Sequence, residues 1–113
     1  MEIIDSHDNI LSVNGKDYQF DNDILEIAKT GTHVIVVTVP DRRDLNNVFG
    51  VPLEGGDMWR IQKVNEIYPS FEQTPFVGIN IINNEIVVTD FSACRFVVDP
   101  ENGRIIGRKR EVK

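Results

Sequence analysis

Residues 95–108, RFVVDPENGRIIGR, read as a strand, a tight turn and a second strand, with Pro100 at the second turn position and Gly103 closing it. A similar stretch stands 47 positions earlier, residues 48–61, VFGVPLEGGDMWRI. Phe49 falls on Phe96, Val51 on Val98, Glu54 on Glu101, Gly56 on Gly103 and Met58 on Ile105. Working outward, residues 34–38, VIVVT, match residues 85–89, EIVVT, at an offset of 51. The first copy therefore carries four extra residues, which the polar loop 41–46, DRRDLN, accommodates.

Strand signals continue on both sides of these copies. Residues 9–13 and 16–20 flank Asn14-Gly15, a pair that tolerates positive φ at both positions and marks a two-residue hairpin. Residues 33–39, HVIVVTV, form the β-branched run of a central strand. Strands are expected at 47–51 and 58–64 around the 54–57 turn, at 76–82 and 85–90 around Asn83-Asn84, and at 93–99 and 104–110. The main helix signal is residues 21–29, with Asp21 as N-cap and Gly31 as the stop. Residues 65–75, holding Pro69 and Pro75, read as a crossing between sheets. The expected fold is mainly β: one domain, 1–113, of two repeat units, about 1–64 and 65–113. Each unit is a four-stranded antiparallel blade-like sheet, and the whole has at most one short helix.

The stretch 48–61 resembles the blade motif of PQQ-type and WD-like β-propellers. An alternating strand ends in an acidic turn with glycine and a Trp opens the outer strand, here Val48, Val51, Glu54, Gly56 and Trp59. The second copy has Val98, Asp99, Gly103 and Ile105, but Ile106 where Trp59 stands. Beyond that motif, the chain resembles small bacterial half-propeller proteins found beside polymorphic toxins, including immunity proteins of contact-dependent growth inhibition systems. The likeness rests on size, the acidic N-terminus, and the run 75–89, PFVGINIINNEIVVT, followed by 95–103, RFVVDPENG. It implies a half β-propeller that binds a protein toxin. It brings no cofactor, because two blades do not close the ring around a propeller's channel.

Composition fits a soluble domain: 41% apolar and 27% charged residues, with no apolar run near the ~20 residues that span a bilayer. MEIIDSHDN lacks the basic start of a signal peptide, and a single cysteine, Cys94, excludes an internal disulfide. The expected location is the cytoplasm. Net charge is −6, and residues 1–28 carry all of it, with seven acids against Lys16 alone. Such a surface either keeps a small protein soluble or matches a basic partner. It repels nucleic acid, and three bases at 108–110 are a weak footprint for phosphate, better suited to guarding an edge strand.

No residue set announces a reaction. His7 lies among Asp5 and Asp8, but a metal site needs three or four ligands at suitable spacing, so no metal is expected. Cys94 shares a strand face with Phe96 and Val98 and reads as core rather than nucleophile. Glu54, Asp99 and Glu101 lie in turns, where carboxylates stay exposed and ordinary. Phe49, Phe76 and Phe96 read as core, while Trp59 and Tyr68 serve either the core or an interface.

The expectation is a non-enzymatic immunity protein, monomer or weak dimer, that blocks a cognate, basic toxin such as a nuclease. The alternative is a half-propeller interaction module without a toxin. The expected partner surface combines Asp17, Asp21 and Asp23 with Asp41 and Asp44 of the loop, Glu54 and Asp57 of the turn, and Trp59 and Tyr68 as aromatic anchors.

Overall fold

The computed structural model describes residues 2–83 and 85–109. Asn84 of the expected 83–84 turn, Arg110 of the basic run, and residues 111–113 lie outside the described residues. Over the described residues the chain is mainly β with one short helix, but it forms three antiparallel sheets, of three, four and four strands, rather than two.

The unexpected sheet is N-terminal. Strands β1 (Ile4–His7), β2 (Ile10–Val13) and β3 (Lys16–Gln19) form a meander. The Asn14-Gly15 turn has φ of 50° and 87°, the positive pair that a two-residue hairpin needs. The next element corrects the sequence reading. Residues 21–29 are not helical; Ile24–Lys29 is strand β4, paired with β5 (His33–Thr38). Helix propensity over so short a segment is weak, and β5 offers a full edge of backbone partners. A bulge at Leu25 shifts the register, so that Ile24 packs under the N-terminal sheet while Ala28 packs on the opposite side.

Strands β6 (Val48–Pro52) and β7 (Trp59–Arg60) complete the middle sheet, in the order β4-β5-β6-β7. The expected 58–64 strand stops after two residues, because Val64–Ile67 turns into helix α1. That helix lacks a side-chain cap at Lys63; Gln73 Oε1 accepts the Val64 N–H at 3.2 Å instead. The third sheet follows the sequence reading closely: β8 (Phe76–Ile82), β9 (Glu85–Asp90), β10 (Arg95–Val98) and β11 (Ile105–Lys109).

The middle sheet is covered on both faces. Val34, Val36 and Val51 pack with Leu11, Val13 and Phe20 of the N-terminal layer. Ile35, Val37 and Val48 pack with Phe76, Ile86, Val88 and Phe96 of the third sheet. Every residue of β5 is consequently buried, which is why its sequence runs apolar without alternation. Asn47 ties the middle and third sheets. Its buried amide donates to the carbonyls of Thr38 and Phe76 and accepts the Phe76 N–H, each at 2.8 Å.

Pairing register also corrects the repeat. Val37 pairs with Val48, and Val88 pairs with Phe96, so Phe96 stands where Val48 does, at an offset of 48. The two positive-φ turn glycines, Gly55 and Gly103, are likewise 48 apart. The match of Phe49 to Phe96 is thus one residue out of register. Phe49 packs toward the N-terminal layer and Phe96 toward the middle sheet, because a one-residue slip in a strand reverses its faces.

Candidate binding surface

The strands of the middle sheet alternate in direction, so its loops gather at two ends. One end carries the approach to β4 and the loop between β5 and β6. The other carries the β4–β5 and β6–β7 turns and meets the β10–β11 turn of the third sheet, where Thr32 Oγ1 and Glu101 Oε1 lie 3.5 Å apart. The carboxylates read from the sequence divide between these ends.

At the first end, Asp21, Asp23 and Asp41 line an open cleft of about 670 Å³ together with Asn22, Arg42 and Arg43. Asp41 is the anchor of its loop. The Arg43 backbone N–H donates to its Oδ1 at 2.9 Å, and Asn22 Nδ2 donates to Oδ2 at 3.4 Å. The Arg43 backbone bond is the main cause holding the Asp41 carboxyl below its ordinary pKa. Asp44 lies beyond, in an ion pair with Arg60, and faces a neighbouring cleft that also holds Arg43 and Lys63. These acids are therefore interleaved with cations. Asp17 is apart from both clefts, on β3, where it accepts the Ser12 hydroxyl.

At the second end, Glu54 and Asp57 line a more enclosed cleft of about 420 Å³ with Glu2, Glu101, Thr32 and His33. Sequence reading assigned Glu101 to turn chemistry and His33 to a strand start, and so missed both as members of a site. The available signal was the repeat itself, which set Glu54 over Glu101 and hence placed both turns at corresponding ends of their sheets.

The two expected aromatic anchors, Trp59 and Tyr68, are half-buried and each makes a contact within the molecule. Trp59 donates from Nε1 to the Pro100 carbonyl at 2.8 Å, joining the middle sheet to the β10–β11 turn. A Cβ on Gly50 would stand 2.0 Å from its indole, and one on Gly103 2.5 Å, so both glycines are required by the ring's position. Tyr68 packs at 6.1 Å from the Phe96 ring. Arg108 lies over Phe71, Tyr68 and Phe96, at 5.4, 5.7 and 6.0 Å from the ring centroids, so this member of the basic run is part of a cation–π stack.

Residues 1–110 match the family described as Domain of unknown function (DUF7957). The chain belongs to that family. No curated protein matches it, and no solved structure matches it. Among the described residues, no group of three or more His, Cys, Asp and Glu side chains converges to hold a metal ion. No helix among them is long and apolar enough to cross a membrane. Cys94 is a half-buried free thiol packed on the core between the middle and third sheets. His7 sits at the end of β1, largely exposed, with Nε2 at 3.2 Å from Asp8. In chemical terms the surface therefore offers carboxylates held by turns of a rigid β frame, an arrangement suited to receiving cations.

Proposed function

We propose that this member of the DUF7957 family is an inhibitory binding protein: an immunity protein of the cytoplasm that occludes the active site of a cognate basic toxin such as a nuclease. In this reading the middle and third sheets are two blades of a half β-propeller, and the N-terminal sheet is an added layer. The chain works as a monomer or weak dimer, without metal or cofactor. Inhibition is steric and electrostatic, with carboxylates standing in for the phosphates of the toxin's substrate.

The observation that carries the reading is the placement of acidic side chains at both loop ends. Asp21, Asp23 and Asp41 share one cleft, and Glu54 and Asp57 share another. Carboxylates used only for solubility need no such gathering. Electrostatic steering speeds association and is lost with salt.

The test is co-expression with the product of the upstream gene, alongside stopped-flow association at low salt. Substituting Asp17, Asp21 and Asp23 together with Asn is expected to slow association at least ~10-fold and weaken protection of the cell. Unchanged protection together with an unchanged association rate would sink the assignment of these residues.

A further inference from the structure

We infer that the outer face of the third sheet docks the outer face of the N-terminal sheet of a second copy of this chain, so that two copies close a two-fold ring of six sheets. The inference concerns how copies of the chain meet and stands apart from the toxin reading.

The three sheets form a stack, N-terminal on middle and middle on third. Each end of the stack therefore leaves one sheet face without a layer. On the middle sheet, the face bearing Val34 and Val36 is covered by the N-terminal sheet. The corresponding face of the third sheet carries Ile82, Val87 and Val97, and none of the three belongs to either core cluster. The bulge in β11 adds a fourth apolar residue. Ile105 is buried on the inner face and Arg108 lies over the inner aromatic rings, so Ile106 and Gly107 between them both point outward. Ile106 is 63% exposed. Beside this aliphatic strip, Arg95 and Lys109 stand opposite each other across β10 and β11. Lys109 meets Glu85 at 3.4 Å, while Arg95 has no ion-pair partner among the described residues. The face thus sets two cations against one carboxylate.

The other end of the stack is complementary. Leu11 and Val13 turn inward, so Ile10 and Ser12 of β2 face outward. Asp5 and His7 of β1, and Asp17 and Gln19 of β3, flank them in register. Ile10 is half-buried, Asp5 and Asp17 are exposed, and neither carboxylate pairs with a cation among the described residues. This face has an aliphatic centre with a negative rim, and the third sheet has an aliphatic strip with a positive one.

That charge match selects a second copy as the occupant. The chain carries a net charge of −6, so the rest of its surface repels nucleic acid and anionic membranes. A sheet face with an apolar strip is suited to packing on another sheet face, as the three sheets of one copy already do. Because the two end faces differ, a single contact is head-to-tail. Two such contacts about a two-fold axis close the ring and leave no end face free. Each contact is small and partly polar, so a dissociation constant of about 10–100 µM is expected. At low micromolar chain the third sheet's outer face is open to solvent.

The test is sedimentation equilibrium of the full chain from about 5 µM to about 1 mM, without any partner. The mass is expected to rise from monomer to dimer and stop there, with weaker association at high salt. Ile106→Lys should leave urea unfolding unchanged, because the side chain is exposed, and raise the dissociation constant at least ~10-fold. Reversing one face, by Asp5→Lys with Asp17→Lys or by Arg95→Glu with Lys109→Glu, should weaken the dimer by a similar factor. Combining both reversals in one chain should restore it, which a merely structural effect would not do. Where a reversed chain folds poorly, Arg95→Glu alone and Ile106→Lys carry the test. A monomer at every concentration, a mass that grows past the dimer, a dimer indifferent to Ile106→Lys, or no rescue in a folded chain with both reversals would each overturn the proposal.

Discussion

The middle and third sheets have the same strand order and the same succession of turns, yet their second strands are built differently. In β5, Val34 and Val36 face the N-terminal layer and are buried with the rest of the strand. In β9, the register-equivalent positions are Glu85 and Val87; Val87 is buried, but Glu85 is exposed and Thr89 on the same face is half-buried. One strand has a core cluster above and below, while the other sends Ile86 and Val88 into one core cluster and opens its second face to solvent at Glu85 and Thr89. The difference teaches that the extra sheet, not the repeat, determines which face of a copy is apolar. A strand covered twice is buried along its whole length, whereas the one without the second layer carries exposed and half-buried polar residues on its outer face.

Deleting a large side chain from each core tests that contrast most strongly. Phe96 is fully buried between the middle and third sheets, and Leu11 is fully buried beneath the N-terminal sheet. Phe96→Ala is expected to cost about 3–5 kcal/mol, and Leu11→Ala about 2–5 kcal/mol. Urea unfolding gives the magnitudes, and amide exchange separates the two cores. Leu11→Ala should lower protection of β1–β3 while β9 and β10 keep theirs, whereas Phe96→Ala should lower protection throughout the middle and third sheets. Equal loss everywhere in both variants would mean that the N-terminal layer is not a separable unit.

The same contrast explains what was legible in the sequence. The third sheet is legible almost residue for residue, because its strands are β-branched runs bounded by turns that each carry their own Gly, Pro or Asn. The middle sheet was read in part. HVIVVTV identifies a central strand, but the sequence of β4 reads as helix: ILEIAK is short, and its bulge at Leu25 breaks the period that would mark it as a strand. Strand β1 escaped notice because its IDSH sequence is exposed and polar apart from Ile4. The site was legible in composition but not in geometry. Asp21, Asp23 and Asp41 do share a cleft, but Glu54 and Asp57 lie at the opposite end with Glu101 and His33. Proximity between turns of different sheets depends on the register of their packing, which a repeat one residue out of step does not supply.

Glycine substitution sharpens the comparison at a smaller scale. Gly50 lies under the Trp59 indole, with the ring 2.0 Å from where a Cβ would stand, while Gly107 of the third sheet has nothing within 4 Å of that point. Gly50→Ala forces the indole out and threatens its bond to Pro100, at a cost of about 1–3 kcal/mol. Gly107→Ala meets no obstacle at an ordinary strand φ and should stabilise by about 0.4–1 kcal/mol through reduced freedom of the unfolded chain. Opposite signs in thermal or urea unfolding are the expected outcome. A destabilised Gly107→Ala would show that the outer face of the third sheet is covered after all.

The smallest expected effect separates the two ends by pH. Asp41 has a lowered pKa, chiefly because it accepts the Arg43 backbone N–H, with Asn22 and the Arg43 charge adding to the effect. Its carboxyl therefore binds a proton less readily in the folded chain than in the unfolded one. The stabilisation it contributes is fully present above the unfolded aspartate value and disappears as pH falls through the folded one. Because the group meets solvent, the gain is small and falls further with salt. Asp41→Asn should flatten the acid limb of the stability curve slightly and leave stability near neutrality almost unchanged, since Asn retains an acceptor for the Arg43 N–H. A carboxyl-detected titration of the wild-type chain provides the direct check. Asp41 titrating at or above the ordinary aspartate value would remove the Arg43 bond as the loop's anchor, and with it the reason for the first-end cleft to hold its shape.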